Sequence, residues 1–156
     1  MMFEGGWNMR SIPQALTALF VLTVCAPAEA QSWRPVAHSG PDGDEIVWFV
    51  DARSIARNGN NATYLLEAVL EKAGSDGVDR VQEDTRADCA NSTTFVTKRR
   101  MYRGSALHQE KVLAEKSELF GPGSPSRFAT DSVCKDQWAN DPIADTGAFA
   151  RAYFAQ

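Results

Sequence analysis

The sequence is poor in the residues that most often carry catalysis or hold metal ions. It contains 2 histidines, His38 and His108, and 3 cysteines. Neither histidine belongs to a His-Glu-x-x-His pattern, and no Gly-x-Ser-x-Gly or Cys-x-x-Cys pattern occurs. The turn at 121–123 also lacks the lysine of a phosphate-binding loop. We therefore predict no enzymatic activity, no cofactor and no metal ion; a pair of hydrolytic carboxylates, whose spacing is three-dimensional, stays open.

Positive charge is in the minority. The chain has 16 Lys and Arg residues against 20 Asp and Glu, which gives a net charge of -4. This balance excludes a strongly basic protein that binds nucleic acid by neutralising its phosphates. With 44% hydrophobic residues and no low-complexity segment, the chain is not a disordered polar protein either. We predict one globular domain.

Long apolar runs are also scarce, and the longest lies near the amino terminus. The run Ala15 to Ala26 follows Arg10 and is too short to span a bilayer, which takes about 20 residues. Ala28-Glu29-Ala30 then places small residues where a signal peptidase needs them. We expect residues 1–30 to be a cleaved export signal. No later run reaches transmembrane length, so we expect a soluble mature product in the periplasm or at the cell surface.

Two alternatives concern this amino-terminal segment. Translation from Met9 rather than Met1 would give a more compact signal, because residues 1–8 contain no Lys or Arg. Leu22-Thr23-Val24-Cys25 resembles a lipoprotein box, but such boxes have Gly, Ala or Ser where Val24 stands. A lipid anchor at Cys25 is therefore the less favoured alternative.

Two cysteines remain once the signal is removed. Cys89 and Cys134 form an even pair, and an even pair in an oxidising compartment favours a disulfide. Such a bridge would close a long loop and stabilise the domain by roughly 4 kcal/mol in the chain-entropy treatment. A metal site or a catalytic thiol has no support from the neighbouring residues.

Strand patterns precede helix patterns along the chain. Short apolar or alternating runs between turn residues predict strands, and they lie at Trp33–Ala37, Glu45–Asp51, Ala62–Leu70, Arg80–Cys89, Thr93–Tyr102 and Leu107–Leu119. We expect Ala52–Arg57 to be a connector between the second and third strands. The last run also contains good helix formers, so a helix is the alternative there.

Two helices are predicted near the carboxyl terminus. Ser124 as the cap with Pro125 in the first turn begins a helix that carries Cys134. Residues 146–154 place Phe149 and Tyr153 four positions apart, so one face of a second helix is apolar. Strands followed by helices indicate an α+β fold.

The order of several short motifs resembles a known family. The opening Trp33 strand, the run Val47 to Ile55 with its Asp-x-x-Ser-Ile ending, and a polar Asn-Gly turn come first. They are followed by Asp88-Cys89-Ala90-Asn91, a basic strand ending Tyr102-Arg103-Gly104, the turn Pro122-Gly123-Ser124 and a closing Val133-Cys134. In this order the chain resembles the surface-adhesin E-like family of Gram-negative bacteria over roughly residues 33–134.

The resemblance implies both a fold and a function. The fold is a small antiparallel sheet with one or two carboxyl-terminal helices, stapled by a Cys89–Cys134 bridge. Residues 31–134 would form the adhesin-E-like domain and 135–156 a helical extension. The implied function is adhesion by a non-enzymatic module that binds a host matrix protein such as vitronectin or laminin. The alternative is a soluble periplasmic protein with a housekeeping or inhibitory role and no host ligand.

A basic cluster in the fifth predicted strand is the candidate partner-binding surface. Its residues are Lys98, Arg99, Arg100, Tyr102 and Arg103. Because side chains alternate along a strand, Lys98 and Arg100 should share one face with Tyr102, and Arg99 the other face with Met101 and Phe95. Such a strip could attract an acidic partner. A solvated strand face is the competing interpretation, and somewhat the more favoured one.

Overall fold

The computed structural model of the chain describes residues 32–114, 121 and 123–156. The expected export signal, the box at Cys25 and positions 115–119 of the last strand prediction lie outside the described residues. The described part contains the strands β1 Trp33–Ser39, β2 Ile46–Asn58, β3 Asn61–Leu70, β4 Arg80–Asp88, β5 Thr93–Arg103 and β6 Ala106–Val112, followed by the helices α1 Pro125–Lys135 and α2 Thr146–Phe154.

The strands form one antiparallel sheet in which each strand lies beside the next one in the chain. This arrangement confirms the predicted α+β fold with its small antiparallel sheet and two carboxyl-terminal helices. It needs only short connections, because antiparallel neighbours can be joined by tight turns. The hairpin between β2 and β3, for example, turns at Gly59-Asn60, where Gly59 has a φ of 58° that favours glycine.

Each face of the first half of the sheet carries one helix. On one face, Ala129 and Val133 of α1 pack with Val50 and Leu66. On the other, α2 packs against the neighbouring Phe49, whose ring meets that of Phe149 edge to face with 5.7 Å between centroids. β2 is therefore apolar on both faces because both are covered.

Both helices begin where their capping residues predict. The Ser124 hydroxyl accepts a hydrogen bond from Arg127 N at 3.3 Å, and Pro125 occupies the first turn. Asp145 caps α2 through a 2.8 Å bond from Ala148 N. The predicted disulfide is confirmed, and it joins Cys134 near the end of α1 to Cys89 in the turn after β4.

The segment Ala52–Arg57 is not a connector, so that prediction was wrong. β2 continues through it with a bulge: Asp51 pairs with Leu65 and the next pair is Ala56 with Thr63. The Ser54 hydroxyl donates to the Asp51 carbonyl and accepts from Leu65 N, each at 2.7 Å. A side chain thus replaces the ladder bond that the bulge removes, and the strand does not end there.

The segment after Cys134 is part of the same packed body as the sheet. Trp33 in the edge strand β1 exchanges two backbone hydrogen bonds with Ile143, at 3.0 and 2.7 Å. α2 then covers the sheet, as residues 146–154 were predicted to be helical. This pairing satisfies the backbone groups of Trp33 at the beginning of the β1 edge.

Candidate functional site

The register of β5 decides which basic side chains share a face. Arg100 lies opposite Gln82, which lies opposite Glu67 on the face covered by α2. Lys98, Arg100 and Tyr102 alternate with Arg99 and therefore share the α2 face, as predicted. Phe95 does not lie on the face expected for it. β5 has a bulge at Thr97, which has no opposite residue in β4, and the register shifts there.

This bulge turns Phe95 to the same face as Lys98. Its ring lies against the Arg86 guanidinium, 4.7 Å from the carbon atom of that group to the ring centroid. The prediction that Phe95 shares a face with Arg99 was wrong, since one extra residue inverts the alternation.

Three basic residues of β5 are paired with carboxylates on the neighbouring strands. Lys98 Nζ lies 3.7 Å from Glu110, Arg99 Nη2 2.6 Å from Glu83, and Arg100 Nη2 2.5 Å from Asp84. Hydrogen bonding and the charge of Asp84 raise the pKa of Arg100 against the lowering effect of desolvation, the largest single contribution. These three side chains therefore have carboxylate partners and do not form an unneutralised positive strip.

The remaining two candidates lie at the end of the same strand. The Tyr102 hydroxyl donates to Gln82 at 3.1 Å, and its ring lies 4.5 Å beneath the Arg80 guanidinium. Arg103 contacts His108 at 3.1 Å. The structure thus brings Lys98, Arg100 and Tyr102 together on one face and leaves Arg99 on the other.

Strand β6 is the open edge of the sheet. All of its residues are exposed, including the apolar Leu107 at 54% and Val112 at 79%. Leu107 pairs with Tyr102 and Val112 with Lys98, so both lie on the α2 face beside the basic candidates. Within the part of the chain that the structure describes, no strand pairs with the outer side of β6.

A cleft lies on the α2 face, between the first turn of α2 and the ends of β3 and β4. Its volume is about 520 Å³. Two cationic side chains, Arg80 and Arg151, line it together with Thr146, and Leu70 and Phe154 form part of an apolar wall. Sequence reasoning did not predict this site, because residues from distant parts of the chain form it.

A buried carboxylate lies behind this cleft. Glu67 is 1% exposed; one of its oxygens accepts from the Thr146 hydroxyl at 2.5 Å and the other from Gln82 Nε2 at 2.6 Å. Arg80 Nε is 4.0 Å away and makes no hydrogen bond. The sequence contains a signal for this site, because Glu67 interrupts the apolar run Leu65 to Val69 and a carboxylate within a buried strand needs partners.

Two wider searches of the structure are negative for the part of the chain that it describes. No group of three or more His, Cys, Asp or Glu side chains is arranged to hold a metal ion. Among the same residues, no helix has the length and apolar character needed to cross a membrane.

Comparison of the chain with protein-family models, with curated proteins and with solved structures finds no match.

Proposed function

We propose that the protein is an exported, non-enzymatic binding module of the surface-adhesin E type that contacts a protein partner along β6 and the adjoining face of β5. The observation that carries the proposal is the open β6 edge with its exposed Leu107 and Val112. The Cys89–Cys134 disulfide is compatible with an oxidising compartment outside the cytoplasm. A host matrix protein such as vitronectin or laminin is the proposed partner.

Strand addition is the binding mode that fits this edge. An extended partner segment can pair with the free backbone groups of β6, while apolar side chains supply contact area. Leu107 and Tyr102 are opposite each other, which forms an apolar and aromatic contact point on the α2 face. Lys98 and Arg100 are already paired with Glu110, so the partner is recognised mainly through backbone and apolar contacts.

The experiment measures binding of the exported protein to immobilised vitronectin and laminin by biolayer interferometry. Replacing both Leu107 and Val112 by Ser should weaken binding about tenfold or more, because the apolar area that the partner would remove from water is lost. Phe128→Ser is the matched control, since Phe128 is a comparably exposed apolar residue on α1, at 49%. Absence of binding by the unmodified protein, or equal loss in the control, would contradict the proposal.

The second candidate is a soluble periplasmic protein that binds a cell-envelope partner. The neutralised charges of β5 favour it, because an adhesin that captures acidic matrix segments would need free cations. Protease shaving of intact cells, compared with release by osmotic shock, separates the two. Cleavage from outside supports adhesion, whereas full protection together with release by shock supports the envelope role.

A further inference from the structure

We propose that the protein forms a two-fold dimer in which β6 of one copy pairs antiparallel with β6 of a second copy, so that the two sheets become one. The inference goes beyond the contact with a matrix protein, because it depends only on the strand geometry of this chain. It also sets a condition on that contact, since the dimer covers the edge that the matrix protein would use. Partner binding then requires the monomer.

The outer side of β6 presents backbone groups that another strand can use. Leu113 N donates to the Thr97 carbonyl of β5 at 2.9 Å. Because consecutive residues of an antiparallel strand direct their N–H and C=O groups to opposite sides, the backbone groups of Val112 and Glu110 point away from β5. Every residue of β6 is exposed, and in the described part of the chain no strand pairs with this side. A second strand can therefore add to the edge.

The opposite edge of the sheet, β1, is obstructed where the strand begins. Trp33 exchanges two backbone bonds with Ile143, at 3.0 and 2.7 Å. Pro35 has no N–H, and its carbonyl accepts from Asn140 Nδ2 at 2.9 Å. This leaves the segment 36–39 for a strand from another copy, which is shorter than β6. Head-to-tail pairing of β6 with β1 is therefore disfavoured, whereas pairing of β6 with itself closes after two copies.

The charges of β6 favour one alignment of the two strands. Glu110 lies 3.7 Å from Lys98 Nζ and 3.5 Å from Arg100 Nε, so its carboxylate is already held by two cations. Glu110 of one copy can therefore lie opposite Glu110 of the other without two unpaired carboxylates meeting. An alignment of Lys111 with Lys111 would bring two ammonium groups together, each beside a further cation, Arg99 of β5. We expect the two-fold axis at Glu110.

The exposed apolar side chains match across this axis. Leu107, Glu110 and Val112 occupy three successive positions on the α2 face, because the register shift at His108 brings Leu107 into line. Antiparallel pairing about Glu110 therefore places Leu107 of each copy beside Val112 of the other, the reciprocity that a two-fold interface requires. These side chains are 54% and 79% exposed, so both contacts remove apolar surface from water.

The test is sedimentation equilibrium of the exported protein between about 1 μM and about 500 μM, without any matrix protein. We expect a reversible change from monomer to dimer and no larger species, because pairing through β6 leaves β1 as the outer edge of both copies. A protein that stays monomeric at every concentration, or one that grows beyond the dimer, would overturn the proposal.

Two variants of β6 identify the interface. Val112→Pro removes the N–H that points away from β5 and should raise the dimer dissociation constant about tenfold or more. Leu107→Lys should do the same without a change in the backbone, because it places a cation at both apolar contacts. Phe128→Ser, which alters an exposed apolar residue of α1, is the matched control and should leave the constant unchanged. Undiminished dimer affinity in both β6 variants would overturn the proposal.

The result can be distinguished from that of the matrix-protein experiment. A monomer that binds vitronectin or laminin would overturn the dimer and support the proposed function. A dimer that depends on Val112 and Leu107 but binds neither matrix protein would support the dimer and contradict the proposed function.

Discussion

At the scale of single residues, a buried chain of hydroxyl groups ties together three elements. The Tyr64 hydroxyl lies 3.1 Å from Thr130 Oγ1, which lies 2.7 Å from Thr94 Oγ1. The three residues belong to β3, α1 and β5, and all are buried. Burial, only partly offset by the bond from Thr130, raises the pKa of Tyr64 to about 12. The phenol is therefore held in its neutral form when the protein is folded.

Replacing Tyr64 by Phe should lower the free energy of unfolding by about 1 kcal/mol at neutral pH, because one buried hydrogen bond is lost. The pH dependence gives a sharper test. Since the folded-state pKa lies above the ordinary value of 10.0, this group's stabilisation is complete below pH 10 and is lost as the pH rises towards about 12. Urea unfolding at several alkaline pH values should show that the free energy of unfolding falls less steeply with pH for Tyr64→Phe than for Tyr102→Phe. Equal slopes for the two variants would contradict a raised pKa at Tyr64.

Thr146 tests the buried carboxylate at the same scale. Thr146→Val removes the donor to Glu67 while it keeps the side-chain shape, and should cost about 2 kcal/mol of unfolding free energy because a buried charge loses a hydrogen bond. Thr146→Ser keeps the hydroxyl and should retain most of the stability. Equal chemical denaturation midpoints for Thr146→Val and the unmodified protein would show that this bond contributes nothing.

At the scale of elements, the positions of the strands follow from local pattern, but their irregularities do not. Val47-Trp48-Phe49-Val50 is β-branched and aromatic, so a strand there was predictable. The bulges at Ser54 and Thr97 arise because one strand has more residues than its partner over the same stretch of the sheet. A short segment of sequence does not contain this information, since the partner strand lies elsewhere in the chain. For the same reason the cleft, whose lining comes from β3, β4 and α2, was not predictable. Residues 107–112 form a strand despite good helix formers, since pairing with β5 overrides propensity.

Ser54 provides the test of the β2 bulge. Ser54→Ala removes the acceptor for Leu65 N, a half-buried backbone donor, and should lower the free energy of unfolding by about 2 kcal/mol. Ser105→Ala, in the exposed turn between β5 and β6, is the control and should stay within about 0.5 kcal/mol of the unmodified protein. Thermal unfolding of both variants measures the difference. If Ser54→Ala unfolds at the same temperature as the unmodified protein, the bulge does not need the side-chain hydrogen bond.

At the scale of the whole molecule, the sheet is asymmetric. In the described residues, α1 and α2 pack mainly against β1 to β3, and α1 also reaches Ala87 of β4 and Thr94 of β5. The outer part of the sheet carries ion pairs between β4, β5 and β6. The Lys98–Glu110 pair is more exposed, and pairs of that kind each contribute only about 0.2 to 1 kcal/mol. The disulfide joins the turn between β4 and β5 to α1, and in the sequence β5 and β6 lie between its two cysteines.

Removing this link should be the most costly of these changes. The bridge closes a loop with a sequence separation of 45, and the double variant Cys89→Ser with Cys134→Ser should lose about 4 kcal/mol of unfolding free energy because the unfolded chain gains freedom. Urea unfolding of the unmodified protein in dithiothreitol should reproduce the variant's midpoint, which separates loss of the bond from effects of the new side chains. The mass of the exported protein should increase by two hydrogens when it is treated with a reductant. If reduction leaves the mass unchanged, the bridge does not form in the cell. That result would also contradict export to an oxidising compartment.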